Sequence, residues 1–293
     1  MSTENLLSPN LTYTLPPPDL LMPQAAQNVI VAVFDGGAVL LLLYAIYVAC
    51  SRRSLLPVLF LIAGGFGVML EPMADVLGNV IHPPLGQINA FQAEGHPVPW
   101  HIVLGYVWYY GSLNIFLFDR FVARSMTPAL WWKTAFWSAV AVTAVEQIPI
   151  YYGLWVYYGE HAFRIGLMPL AMASANAASV MIPSLLVYRL MPILKGWKQF
   201  LVLALVPCTV VGTHAGASVP SYTALGQDTA SIPFWILQGG TLLTAGFSLM
   251  LIWLGINIIH NRFPEAQSYA MDEDNNSADK PMASKTERET QRA

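Results

Sequence analysis

Residues 29–53 read VIVAVFDGGAVLLLLYAIYVACSRR. The run carries one charge, Asp35, before it stops on Arg52 and Arg53. About 20 apolar residues cross the hydrocarbon core of a bilayer, so the stretch reads as a membrane span with a basic anchor. Six further stretches repeat the pattern: 55–77, 100–118, 134–157, 166–188, 199–219 and 233–259. With 29–50 as the first, they predict an all-α integral membrane protein, a seven-transmembrane-helix bundle over residues 29–259.

Composition agrees. Hydrophobic residues make up 55% of the 293-residue chain, charged residues 11%, and the mean hydropathy is +0.50. Soluble domains carry about 25% charged residues. No basic patch is present, which excludes nucleic acid as a partner. The net charge of -3 belongs to residues 265–293, with seven acids and four bases. Cys50 and Cys208 lie in apolar runs without a spaced framework, so neither disulfide staples nor thiolate–metal sites are expected. Residues 1–28 hold Pro16, Pro17, Pro18 and Pro23 and no lysine or arginine. They lack the basic start of a secretory signal and read as an extracytoplasmic N-terminal segment. Residues 260–293 read as a polar, disordered cytoplasmic tail.

Basic residues set the orientation. Arg52 and Arg53 follow span 1; Arg120, Arg124 and Lys133 separate spans 3 and 4; Arg189, Lys195 and Lys198 separate spans 5 and 6. Arg262 and four tail residues follow span 7, and Arg164 alone falls on the other side. The positive-inside rule then puts the N-terminus outside and the C-terminus in the cytoplasm, in a bacterial cytoplasmic membrane. The longest outer connection, 78–99, is rich in proline and glycine and admits a lid or a re-entrant segment.

Charges inside spans are expensive and mark function. Four occur: Asp35 in span 1, Glu71 and Asp75 in span 2, and Glu146 in span 4. No lysine or arginine inside a span balances them, and four buried anions repel one another. His101, Trp108 and Tyr109 in span 3, Asn176 in span 5, His214 in span 6 and Gln238 in span 7 join the polar and aromatic set. At about 1.5 Å of rise per residue, these groups fall at the midplane or in the outer half. That pattern predicts one polar cavity opening outward rather than a pore. Glu71 and Asp75, at i and i+4, share a helix face, and Pro72 between them is expected to free backbone carbonyls toward a cavity. An aromatic belt accounts for Trp100, Tyr151, Tyr152, Trp155, Tyr157 and Tyr158 at the outer interface, and for Trp131 and Trp132 at the inner one. His82, His96 and His161 read as loop histidines.

Absences exclude further classes. Without an intramembrane lysine there is no retinal Schiff base. No H-E-x-x-H zinc site, di-iron histidine box or G-x-S-x-G elbow is present. No metal ligand and no cofactor are expected.

Residues 71–78 read EPMADVLG, residues 86–91 GQINAF, and residues 105–111 GYVWYYG after Pro99-Trp100. This segment resembles the AveC-type spirocyclase family, bacterial membrane proteins associated with spiroketal formation in polyketide macrolides. The resemblance implies an enzyme that cyclises, or dehydrates, a lipophilic hydroxy-ketone without a redox cofactor. It supplies no catalytic residues; the membrane reading assigns Glu71 and Asp75 as an acid–base pair, with Glu146 across the cavity. Asp35, His101, Trp108, Tyr109, Asn176, His214 and Gln238 are assigned to substrate binding. A membrane terpene cyclase uses the same ingredients, and a proton-coupled carrier or receptor is the non-enzymatic alternative. The partners expected are a lipophilic small molecule and membrane lipids.

Overall fold

The structure, a computed structural model, describes residues 19–226 and 232–260. Residues 1–18 of the expected N-terminal segment and the tail beyond residue 260 lie outside the described residues. Contacts divide the chain into one unit ending at Gly255 and another beginning at Ile256.

The described residues are mostly helical. Five helices are long and apolar enough to cross a membrane: Gln24–Arg52, Leu56–Gly78, Leu170–Leu190, Gly196–Leu225 and Phe234–Ile259. That is the pattern of a membrane protein. The stretches read as spans 3 and 4 are helical too, but they carry more polar and aromatic residues and are not among the five.

Helix α1 (Gln24–Arg52) starts after Pro23, earlier than its apolar run, since the proline blocks further extension. Its flank is nearly bare, with Leu40 69% and Leu43 58% exposed. The second helix comes in three pieces: α2 (Leu56–Phe66), a 3-10 turn (Gly67–Leu70) and α3 (Glu71–Gly78). Connection 78–99 is neither loose nor helical. Strand β1 (Val80–Ile81) pairs with β4 (Val156–Tyr157). Strands β2 (Asn89–Ala93) and β3 (His96–Pro99) form a hairpin. Its two-residue turn, Glu94-Gly95, has φ of 51° and 77°, the left-handed pair that tight hairpins require. The Gln27 carboxamide oxygen accepts from Ile88 N–H at 2.7 Å, and Met22 N–H donates to the Leu85 carbonyl at 2.8 Å. These bonds pin the connection to the start of α1.

The third helix runs as α4 (Trp100–Tyr106), a π-helical segment (Val107–Ser112) and α5 (Leu113–Val122). Arg52 pairs with Asp119, joining the ends of α1 and α5. Helix α6 (Pro128–Tyr151) begins six residues before the expected start of span 4 and ends six before its expected end at 157. Thr127 caps it, its hydroxyl accepting Leu130 N–H at 3.1 Å, with Pro128 at the first position. The other end breaks after Pro149, where Gly153 turns the chain at φ 74°. Lys133, expected in a loop, therefore stands on α6. Strands β5 (Arg164–Ile165) and β6 (Met168–Pro169) lead into α7 (Leu170–Leu190). A 3-10 turn (Gly196–Leu201) precedes α8 (Val202–Leu225), and α9 (Phe234–His260) closes the described chain.

Helix α7 is the axis. Its small residues Ala171, Ala175, Ala178 and Ser179 are buried, and it packs on α8, α5 and α6. Small side chains let helices approach closely where the hydrophobic effect is weak. Across the bundle α2 meets the π-helical segment almost backbone to backbone. A Cβ on Gly64 would lie 2.5 Å from the Gly111 nitrogen. Gly64→Ala should therefore destabilise the purified protein by about 1–3 kcal/mol, read as a lower melting temperature. Gly36→Ala, whose added Cβ meets nothing within 4 Å, should leave it unchanged.

Candidate functional site

The site begins at the break in the second helix. Pro72 has no N–H for the Val68 carbonyl. Glu71 N–H takes that carbonyl through the 3-10 turn, so the free carbonyl expected at the kink is occupied. Glu71 and Asp75 share a face, as their spacing requires. Both approach one nitrogen: His82 Nε2 lies 3.0 Å from Glu71 Oε1 and 3.7 Å from Asp75 Oδ1. His82 comes from connection 78–99, just past β1, and is 1% exposed. Burial works against its imidazolium, but Asp75 and Glu71 outweigh burial and hold the pKa above the ordinary histidine value.

The other loop histidines differ. His161 donates from Nε2 to the Tyr158 carbonyl at 3.0 Å. Burial, then Arg164, push its pKa down to about 3, so it is neutral and structural. His96 is lowered by burial and by His82.

Two tyrosines complete the carboxyl contacts. Tyr106 O–H, on α4, donates to Glu71 Oε2 at 2.7 Å. Tyr157 O–H, on β4, donates to Glu146 Oε2 at 3.2 Å, and Asn176 Nδ2, on α7, donates to Glu146 Oε1 at 3.4 Å. Asp75 is 1% exposed, and neither of its oxygens has a hydrogen-bond partner among the described residues.

Glu71, Asp75 and Glu146 line one cavity of about 850 Å³. Of the residues expected to bind substrate, Trp108, Tyr109, Asn176 and His214 line it as well. Tyr109 O–H meets Ser138 Oγ at 2.6 Å, and His214 Nδ1 meets Tyr222 O–H at 3.4 Å. Three expected residues do not line it. Asp35 is exposed on α1 and accepts from Trp100 Nε1 at 3.3 Å. His101 is fully buried behind Trp155, the rings 6.5 Å apart. Gln238 sits half-buried on α9. The aromatic belt also needs correction. Trp155 and Tyr157 are buried and face the cavity, Tyr158 is buried, and Trp131 is buried with Nε1–H donating to the Ile252 carbonyl at 2.8 Å.

The cavity is longer than its polar residues suggest. Its carboxyl end is covered by β1, β4 and buried Trp155. From there it follows α6 to Thr134, Lys133 and Leu130 near that helix's start. Val33 on α1 and Trp137 and Val145 on α6 line it while 53–56% exposed, so the flank between α1 and α6 is open. The sequence did not announce this reach, because a long apolar cavity needs no polar residues along its walls. His82, Tyr106 and Tyr157 were missed for separate reasons. His82 and Tyr157 lie outside helices, and only pairing of β1 with β4 brings them in. Tyr106 had a signal, since it lies three and four residues before Tyr109 and Tyr110 on one helical face.

No family model, curated protein or solved structure matches the chain.

One donor group also satisfies the geometry of an ion site. Glu71, Asp75 and His82 each offer an atom, all within 4.8 Å of one another, and carboxylate with imidazole suits several divalent metals. Protein donors already meet Glu71, so a proton on His82 balances this charge without an ion. Exhaustive chelation should then leave the melting temperature of the purified protein unchanged. The linkage of His82 has a definite sign. A pKa held above the unfolded value of about 6.5 contributes stability below that pH and loses it as pH rises through the folded value. The melting-temperature gap between wild type and His82→Gln should narrow from pH 6 toward pH 9.

Proposed function

We propose that the protein is a membrane-embedded, cofactor-independent cyclase of a lipophilic natural-product precursor. One observation carries the reading: carboxyl groups from two helices, Glu71 and Asp75 on one and Glu146 on another, converge on one apolar, aromatic-walled cavity. Buried acids facing a dry cavity suit proton transfer to and from a bound chain. The likeness of residues 71–111 to AveC-type spirocyclases supports the chemistry. In this reading all seven stretches span a bacterial cytoplasmic membrane, with the N-terminus outside and the basic ends of α1, α5 and α6 in the cytoplasm. The cavity mouth beside Lys133 then faces the compartment where polyketide and terpenoid precursors are made.

The mechanism uses three groups. Asp75, without a protein donor, protonates the carbonyl oxygen of a dihydroxy-ketone. Glu71, held by Tyr106 and His82, accepts the proton of the attacking hydroxyl. Glu71 hands that proton to the hemiketal hydroxyl, which leaves as water, and the second hydroxyl closes on the oxocarbenium carbon, its proton passing to Glu146 and back to Asp75. The faces of Trp108, Tyr109 and Trp155 and the buried carboxylates stabilise the cation. One ketone and two hydroxyls thus give one spiroketal and one water, and the protons return to the carboxyls.

The apolar wall favours a second reading, terpene-type cyclisation, in which Asp75 protonates an epoxide or alkene of a polyprenyl chain. The closed carboxyl end speaks against a carrier, which needs access from both sides.

Metabolites of a host lacking the protein, complemented with wild type, Glu71→Gln, Asp75→Asn or Glu146→Gln, test the proposal. The Glu71 and Asp75 variants should lose about 10²–10⁴-fold in turnover and accumulate the uncyclised precursor, whose carbon skeleton separates spiroketal from terpene chemistry. An unchanged profile with well-expressed variants overturns the assignment.

A further inference from the structure

Resting on that reading, the cavity's two ends and middle specify what kind of molecule fills it. The middle offers few free polar atoms. Thr134 Oγ1 donates to the Leu130 carbonyl at 2.8 Å, Ser138 and Tyr109 bond each other, Ser112 bonds the Trp108 carbonyl, and Trp108 Nε1 donates to the Phe34 carbonyl at 3.0 Å. Every one of these residues lines the cavity. Most of their donors are spent on the protein; one hydroxyl proton of the Tyr109–Ser138 pair and the Trp137 indole N–H remain, and the rest of the wall between the ends presents hydrocarbon and ring faces. A chain bearing hydroxyls along its whole length would lose their hydration here and gain few partners, at about 1–3 kcal/mol for each one left unpaired.

The ends are different. At one, Asp75 is buried with unpartnered oxygens beside Glu71 and Glu146. At the other, Lys133 is exposed at the mouth. Among the described residues it is the one lysine or arginine in the lining, and no carboxylate pairs with it. Lys133 and Glu146 stand thirteen positions apart on α6, about 20 Å of helix.

We infer that the cavity holds a linear amphiphile about 20 Å long, its anionic head paired with Lys133 at the mouth and its far end delivered to the carboxyls. The head is a carboxylate or a phosphate ester, chemistries an ammonium meets equally well as a point charge. Reversed binding would bring an anion against three carboxyl groups, which like-charge repulsion disfavours. The two charged ends therefore fix which end of the chain reacts.

The experiment measures saturable binding of radiolabelled hexadecanoate, hexadecyl phosphate and hexadecanol to the full-length protein in phosphatidylcholine nanodiscs. Hexadecanoate, or its phosphate counterpart, should bind at one site. Lys133→Gln should weaken that binding by about tenfold or more, as for a lost charged hydrogen bond, and leave hexadecanol unaffected. Ala141→Trp, which fills the middle of the cavity, should abolish binding of all three. The comparison of the two anions tells which head the site takes. Equal affinity of wild type and Lys133→Gln for both anions overturns the inference, as does binding that survives Ala141→Trp. The probes do not react, so the result is independent of whether the carboxyl variants lose turnover.

Discussion

A carboxyl group inside a hydrocarbon layer has no water to turn to, and whatever meets it must come from the chain. Three carboxyl groups, Glu71, Asp75 and Glu146, share one end of an apolar cavity in this bundle, and much of the irregular structure there answers them. The 3-10 turn lets Glu71 N–H satisfy a carbonyl that Pro72 cannot. The short pairing of β1 with β4 places His82 and Tyr157 on either side, one against Glu71 and one against Glu146. Irregular backbone at such depth is tolerated where it is buried in protein or lines a cavity, and both conditions hold here.

The same economy of space produces the cavity. Glycines at 64 and 111 bring α2 against the π-helical segment, and small residues bring α7 against α8. Helix α6 rests on α7, and bulky rings stand along its other side. Close packing in one half of the bundle leaves room in the other. The π-helical segment carries Trp108, Tyr109 and Tyr110 at this point, and such widened turns recur at functional sites.

Much of this was legible in the chain itself. Apolar runs gave the helices, and the i and i+4 spacing gave the shared face of Glu71 and Asp75. Glu146 and Asn176, thirty residues apart, were each recognisable as polar groups in apolar surroundings. What stayed hidden depended on contacts that spacing cannot encode. Histidine 82 looked like its neighbours in the loops until Val80 of β1 found its partner Tyr157, 77 residues downstream. Trp155 and Tyr157 matched an interfacial belt in position and type, and only their burial separates them from Tyr151 and Tyr152. Asp35 has the composition of a site residue, yet the helix turns it outward toward Trp100. The reach of the cavity along α6 was hidden most completely, because its walls are mostly hydrocarbon.

Under the proposed function, the uncovered flank between α1 and α6 changes what concentration means for this protein. A ligand that enters sideways is drawn from the two-dimensional lipid phase, so occupancy follows its mole fraction among lipids rather than its molarity in water. Adding inert lipid dilutes it at constant total amount. Selectivity is then shared with the bilayer: a molecule that partitions poorly never reaches the opening, whatever its fit inside.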